Sequence, residues 1–194
     1  MPAPTGAGGS GSGASAPGPQ SGTSAPSAAP APAAQPVRQA ARSVMIPGVL
    51  CQRGHANCPE RSACRDCGGP LSQQTRTLER PPLGMVDIST GGGFLLDRSA
   101  VVGRRPRASR VSAEDVPQLI TVPSPQQDIS RSHLELRLEG WRVVALDLGT
   151  TNGTTLQRPG TEPVRLRSGE GVVLGEGDQL DLGDGVRLRM RGMA

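Results

Sequence analysis

Fourteen residues, Val143 to Leu156, restrict this chain more than any other stretch. Val143, Val144, Leu146 and Leu148 are strand formers. Asn152-Gly153 is the strongest short hairpin signal a sequence offers, because both residues tolerate the positive φ angles of a tight turn. The stretch therefore predicts a strand, a polar turn and the start of a second strand. Thr150, Thr151, Asn152 and Thr154 place hydroxyls and an amide at one rim, where a plain hairpin needs only the Asn-Gly pair.

Two other stretches point the same way. Val101-Val102-Gly103-Arg104 reads as a strand ending in an arginine. Asp128-Ile129-Ser130-Arg131-Ser132-His133 leads into Leu134-Glu135-Leu136-Arg137-Leu138, whose period of two predicts a half-buried strand. Each stretch puts donors at a strand end: the Arg104 and Arg131 guanidiniums, the Ser130 hydroxyl, then Thr151 and Asn152. Such a set suits phosphate, because charge-assisted and bidentate arginine contacts are the strong ones.

Gly103-Arg104, Ser130-x-x-His133 and Thr151-Asn152-Gly153, in that order, resemble the signature of the forkhead-associated (FHA) domain over residues 83 to 191. The resemblance implies an all-β fold, an eleven-stranded β-sandwich whose loops at one end bind phosphothreonine peptides. Carried over by position, Arg104, Ser130 and Thr151 would hold the phosphate, joined by Arg131. Asn152 would hold the ligand backbone, while Gly103, His133 and Gly153 would support the loops. The interval between Arg104 and Ser130 is longer than family members usually show. It contains Ile120-Thr121-Val122, expected as a strand, flanked by Pro117, Pro123 and Pro125, which belong at turns or edges.

All four cysteines, Cys51, Cys58, Cys64 and Cys67, lie close in sequence with His55 among them. In a chain without an export signal, such clustering favours a metal over disulfides. Structural zinc takes four tetrahedral N or S ligands, so one of the five candidates is left out. The segment is similar to a short zinc ribbon preceding FHA domains in some actinobacterial proteins. That likeness assigns Cys51, His55, Cys64 and Cys67, with Cys58 the alternative to His55. A redox Cys-x-x-Cys is the rival, but no βαβ pattern surrounds it. The expected role is structural, since so few residues cannot build a core unaided.

Composition divides the remainder. Residues 1–43 are almost wholly Pro, Ala, Gly, Ser, Thr and Gln, which predicts a disordered tail. Then come a zinc-ribbon-like mini-domain at 44–70, a polar linker at 71–82 and the FHA domain at 83–194. Thr75 and Thr77, beside Arg76 in that linker, are candidate phosphosites for folding back onto the chain's own site. The first residues lack the pattern of a signal peptide, and no long apolar run spans a membrane, so a cytoplasmic location is expected. The net charge of +4 comes entirely from arginine, for there is no lysine. With one Trp and one Phe there is no aromatic platform for nucleobases, so nucleic acid is not the favoured partner. The densest basic run, Arg104 to Arg110, adjoins the predicted phosphate site and would steer an anionic peptide.

Catalysis is not expected. Gly91-Gly92-Gly93 and Gly175-x-Gly177 do not open helices, as phosphate loops must. Ser130, His133 and Asp147 have no nucleophile elbow. The expectation is a non-enzymatic adaptor for phosphothreonine proteins, either substrates of bacterial Ser/Thr kinases or a kinase itself. The rivals are a nucleic-acid role for the ribbon and a phosphate-independent scaffold.

Overall fold

The computed structural model of the protein describes residues 8–9, 44–108 and 116–193. The tail predicted over residues 1–43, apart from Gly8 and Gly9, lies outside the described residues, as do Ser109 and Arg110 of the basic run. Those described from residue 44 onward belong to one compact unit, Gln39–Ala194.

The described residues contain strands and turns but no α-helix. Strands β1 (Met45–Leu50), β2 (Ala56–Asn57) and β3 (Arg76–Glu79) form a small antiparallel sheet in the order β2-β1-β3. This corrects the reading of 71–82 as a linker. Ile46 faces Leu78 and Pro47 faces Thr77, so the polar stretch is the third strand of the ribbon. Its polarity misled because β3 is an edge strand with one partner and mostly exposed side chains.

The sandwich follows, with β4 (Met85–Ile88), β5 (Gly93–Leu95), β6 (Ala100–Gly103), β7 (Gln118–Thr121), β8 (Leu134–Glu139) and β9 (Arg142–Asp147). Then come β10 (Thr155–Gln157), β11 (Val164–Arg165), β12 (Gly171–Val173), β13 (Gln179–Gly183) and β14 (Val186–Arg191). One sheet has six strands, ordered β11-β10-β13-β14-β4-β5; the other has five, ordered β12-β9-β8-β6-β7. The eleven strands match the number that the resemblance implies. Alternation explains them: Val186, Leu188 and Met190 are fully buried, while the arginines between them face out. Leu134 and Leu136 meet that layer from the facing sheet, with no exposed surface. Cutting such a leucine to alanine costs roughly 2–5 kcal/mol.

Register puts the site at one rim. β6 runs antiparallel to β8, and β8 to β9, with Val102 opposite Leu134 and Leu134 opposite Asp147. The end of β6, the start of β8 and the end of β9 therefore meet. The inserted strand β7 pairs parallel to β6 at the sheet edge, Val102 opposite Ile120.

The predicted hairpin at Asn152-Gly153 does not form. β9 and β10 lie in different sheets, and the turn carries the chain from one to the other. Gly153 has φ +69°, but Asn152 is not among the residues of positive φ, as a two-residue hairpin turn would require.

Candidate functional site

Asp147 explains why the chain leaves its sheet where it does. Its carboxylate accepts the Gly149 and Thr150 N–H groups at 3.0 Å, and the Thr150 and Thr154 hydroxyls at 2.8 Å. Burial alone would push the Asp147 carboxyl up, but the bonds from Thr150 and Thr154 outweigh it and hold the group below its ordinary range. The loop carrying Thr151 and Asn152 is thus set by an anchor of its own.

His133 joins this loop to the Ser130 loop. Its Nδ1 accepts the Ser130 N–H at 3.1 Å, and its Nε2 lies 3.3 Å from the Gly153 carbonyl. Those partners require a neutral ring protonated on Nε2. Burial lowers its basicity, against the opposing pull of Asp147. Ser130 meets His133 through its backbone rather than its hydroxyl, and Asp147 is occupied by its own turn. No hydrolase relay is assembled.

The third stretch is locked by backbone. Arg104 N–H donates to the Ser130 carbonyl and Arg105 N–H to the Arg131 carbonyl, both at 3.1 Å. Only glycine fits at 103, since a Cβ there would lie 2.8 Å from the Ser130 carbonyl oxygen and closer still to that of Arg131.

On this frame Arg104, Ser130, Arg131 and Thr151 line one cavity of about 540 Å³. Arg107, Gln127 and Ser132 complete it. The Nε of Arg104 is buried without a hydrogen-bond partner, so the group predicted to grip an anion is unsatisfied by the protein itself. Asn152 does not line the cavity. It stands beside it, its Nδ2 3.2 Å from both the carbonyl and a carboxylate oxygen of Asp128. Arg107 and Ser132 were not singled out from sequence. Their link, Arg107 N–H to Ser132 Oγ at 3.0 Å, spans the insert and has no local signature.

The second cluster lies in the ribbon. Cys51, His55, Cys64 and Cys67 bring one ligand atom each to within 4.8 Å of one another. Two backbone turns aim them. Gly54 N–H donates to Cys51 O at 2.9 Å, Gly68 N–H to Cys64 O at 2.8 Å, and both glycines hold positive φ. Cys58 is outside the cluster, turned to the Glu60 carboxylate; burial and that contact push its thiol up. The Cys64 thiol is raised by burial but drawn down further by N–H groups of Cys67 and Asp66 and the Asn57 amide, to about 6. All four cysteines are free of disulfides. The four-residue set is compatible with a metal site.

The two-sheet β-sandwich thus gathers arginines and hydroxyls on loops at one rim, donor chemistry suited to a small anionic group. Residues 100–183 match the family model described as FHA domain. A curated relative, the glycogen accumulation regulator GarA of Mycolicibacterium smegmatis, is 33% identical over 95 residues. That match takes in 49% of this chain and 48% of GarA, so the chain spans about half the length of that relative. Among solved structures, the FHA domain of FhaA, complexed with the intracellular domain of another protein, is similar at 25% identity and a TM-score of 0.38. It covers 55% of this chain and 98% of that one. EmbR of Mycobacterium tuberculosis, in complex with a low-affinity phosphopeptide, is 21% identical with a TM-score of 0.43, covering 60% of this chain and 26% of that one.

Proposed function

We propose that this protein is a non-enzymatic adaptor that binds phosphothreonine-containing proteins in bacterial Ser/Thr kinase signalling. The observation that carries this reading is the cavity in which Arg104, with a buried unpartnered Nε, meets Ser130, Arg131 and Thr151. A phosphothreonine brings about −1.5 to −2 charges and three acceptor oxygens, which two guanidiniums and two hydroxyls complement. Asn152, at the rim, is assigned to the ligand backbone, exchanging its Asp128 contact for the peptide. Arg104→Ala is expected to cost about 2–5 kcal/mol of phosphopeptide binding, the usual loss when one partner of a desolvated charge pair is removed. Titration of the full chain with a phosphothreonine peptide, with phosphoserine and unphosphorylated controls, is the test. An unchanged dissociation constant in the variant would refute the assignment.

The ribbon is assigned a structural zinc ion held by Cys51, His55, Cys64 and Cys67. Its buried apolar set is small, chiefly Ile46 and Val49 beside Cys51 and Cys64, too little to hold a fold without a staple. Four N and S donors with no carboxylate among them are the chemistry of a closed zinc site. The protein is assigned to the cytoplasm, where such signalling takes place; among the described residues no helix is long and apolar enough to cross a membrane.

A further inference from the structure

Beside the cavity already described lies a second, of about 420 Å³, lined by Arg104, Arg105, Thr121, Val122, Pro123, Ser124, Pro125 and Gln127. Arg104 and Gln127 line both, so the two form adjoining rooms with a common wall. Most of the second room comes from the insert, namely the end of β7 and the chain leaving it. That wall is stiffened twice. Pro123 and Pro125 fix its backbone, and Ser124 Oγ accepts the Ile129 N–H at 3.0 Å. Gln127 holds a left-handed φ of 61°, unfavourable for a side chain of its kind, and its N–H closes on Ser124 O at 3.1 Å.

Charge decides what these rooms accept. Arg104 and Arg105 line the second, and Arg104, Arg107 and Arg131 the first, with no carboxylate among the described lining residues of either. Two acids lie behind the walls of these rooms, engaged by neighbouring groups. Asp184 bonds the Ser124 hydroxyl and the Asp128 N–H, and Asp128 bonds Asn152. Among the described residues none of the four arginines is in an ion pair, although the other faces of the sandwich carry several. One phosphothreonine supplies about −1.5 to −2 charges against four guanidiniums. Among the described lining residues, roughly half of that positive charge remains for a second anion.

We infer that the insert builds a second anion subsite around Arg105, and that the preferred ligand is a phosphothreonine peptide bearing another phosphorylated or acidic residue nearby. This rests on the phosphopeptide reading above and names the ligand class of the same rim. Arg105 serves the second anion, while Arg104 faces both.

The test is a titration of the full, zinc-loaded chain with a short peptide bearing one phosphothreonine in an otherwise neutral sequence. Parallel peptides add a glutamate, or a second phosphothreonine, at each flanking position in turn. At one of these positions the second anion is expected to tighten binding roughly tenfold, more for phosphate than for glutamate, with the gain shrinking at high salt. Arg105→Gln should erase that gain and leave affinity for the singly phosphorylated peptide nearly unchanged. A gain that survives in Arg105→Gln, or no gain at any position, overturns the subsite while the phosphothreonine reading stands. No binding of the singly phosphorylated peptide by the folded protein overturns both.

Discussion

His133 has no exposed surface, and each of its ring nitrogens faces a loop of the site. It works only as the neutral tautomer, because a second ring proton would turn a donor toward the Ser130 N–H. The sign of its pH dependence follows. Burial lowers its folded value below the unfolded ~6.5, so its contribution is complete above that value and is lost as pH falls through the folded one. Between about pH 7 and pH 5 the thermal midpoint of the wild type should therefore fall more steeply than that of His133→Gln, whose amide offers a donor and an acceptor without titrating. Equal slopes would show that His133 does not set the acid sensitivity of the rim. Asp147 acts in the same direction at lower pH, since its depressed value makes its four hydrogen bonds fail only on stronger acidification.

At the level of elements, legibility followed physics closely. The eleven sandwich strands were readable because a sheet packed on one face writes its pattern with period two, as β14 does. Two readings failed where pattern was a poor guide. Asn152-Gly153 has the composition of a hairpin, but Asp147 captures the turn and sends β10 to the opposite sheet, a tertiary choice that propensity does not encode. Arg76–Glu79 is polar, yet pairs with β1 along an exposed edge; this removes the tether on which a fold-back of Thr77 depended. The rim residues were legible because their donor chemistry is unusual, whereas Arg107, Ser132 and Gln127 join the cavity only through the path of the insert. In the ribbon His55 lies inside the cluster and Cys58 outside it, which favours His55 in the open choice between them. Cys58→Ser should accordingly keep one zinc per chain by metal analysis, and Cys64→Ser should lose it. Loss of zinc from Cys58→Ser would reinstate Cys58 as a ligand.

At the scale of the molecule, ribbon and sandwich share a seam. The Trp141 indole N–H donates to the Pro47 carbonyl at 2.6 Å, and its ring also packs against the sandwich core. Gly48 lies so close that a Cβ there would come within 2.7 Å of that ring. Arg80, next after β3, reaches the Leu138 carbonyl at 3.5 Å. Leu138 ends the core-facing run of β8, the strand that Ser130 and His133 introduce, so the seam and the phosphate rim lie at opposite ends of one strand. The ribbon therefore braces the sandwich at the end away from the candidate site. This predicts that the zinc-loaded protein unfolds in a single calorimetric transition, as one cooperative unit. Trp141→Ala removes the central contact, at an expected loss of roughly 2–4 kcal/mol, toward the lower end because the indole is only part-buried. The variant should split the transition, with a chelator-sensitive ribbon melting first and a sandwich that still binds phosphothreonine peptide melting later. Two transitions in the wild type would mean that the seam carries no coupling, and the ribbon would then be a separate module joined only by its chain.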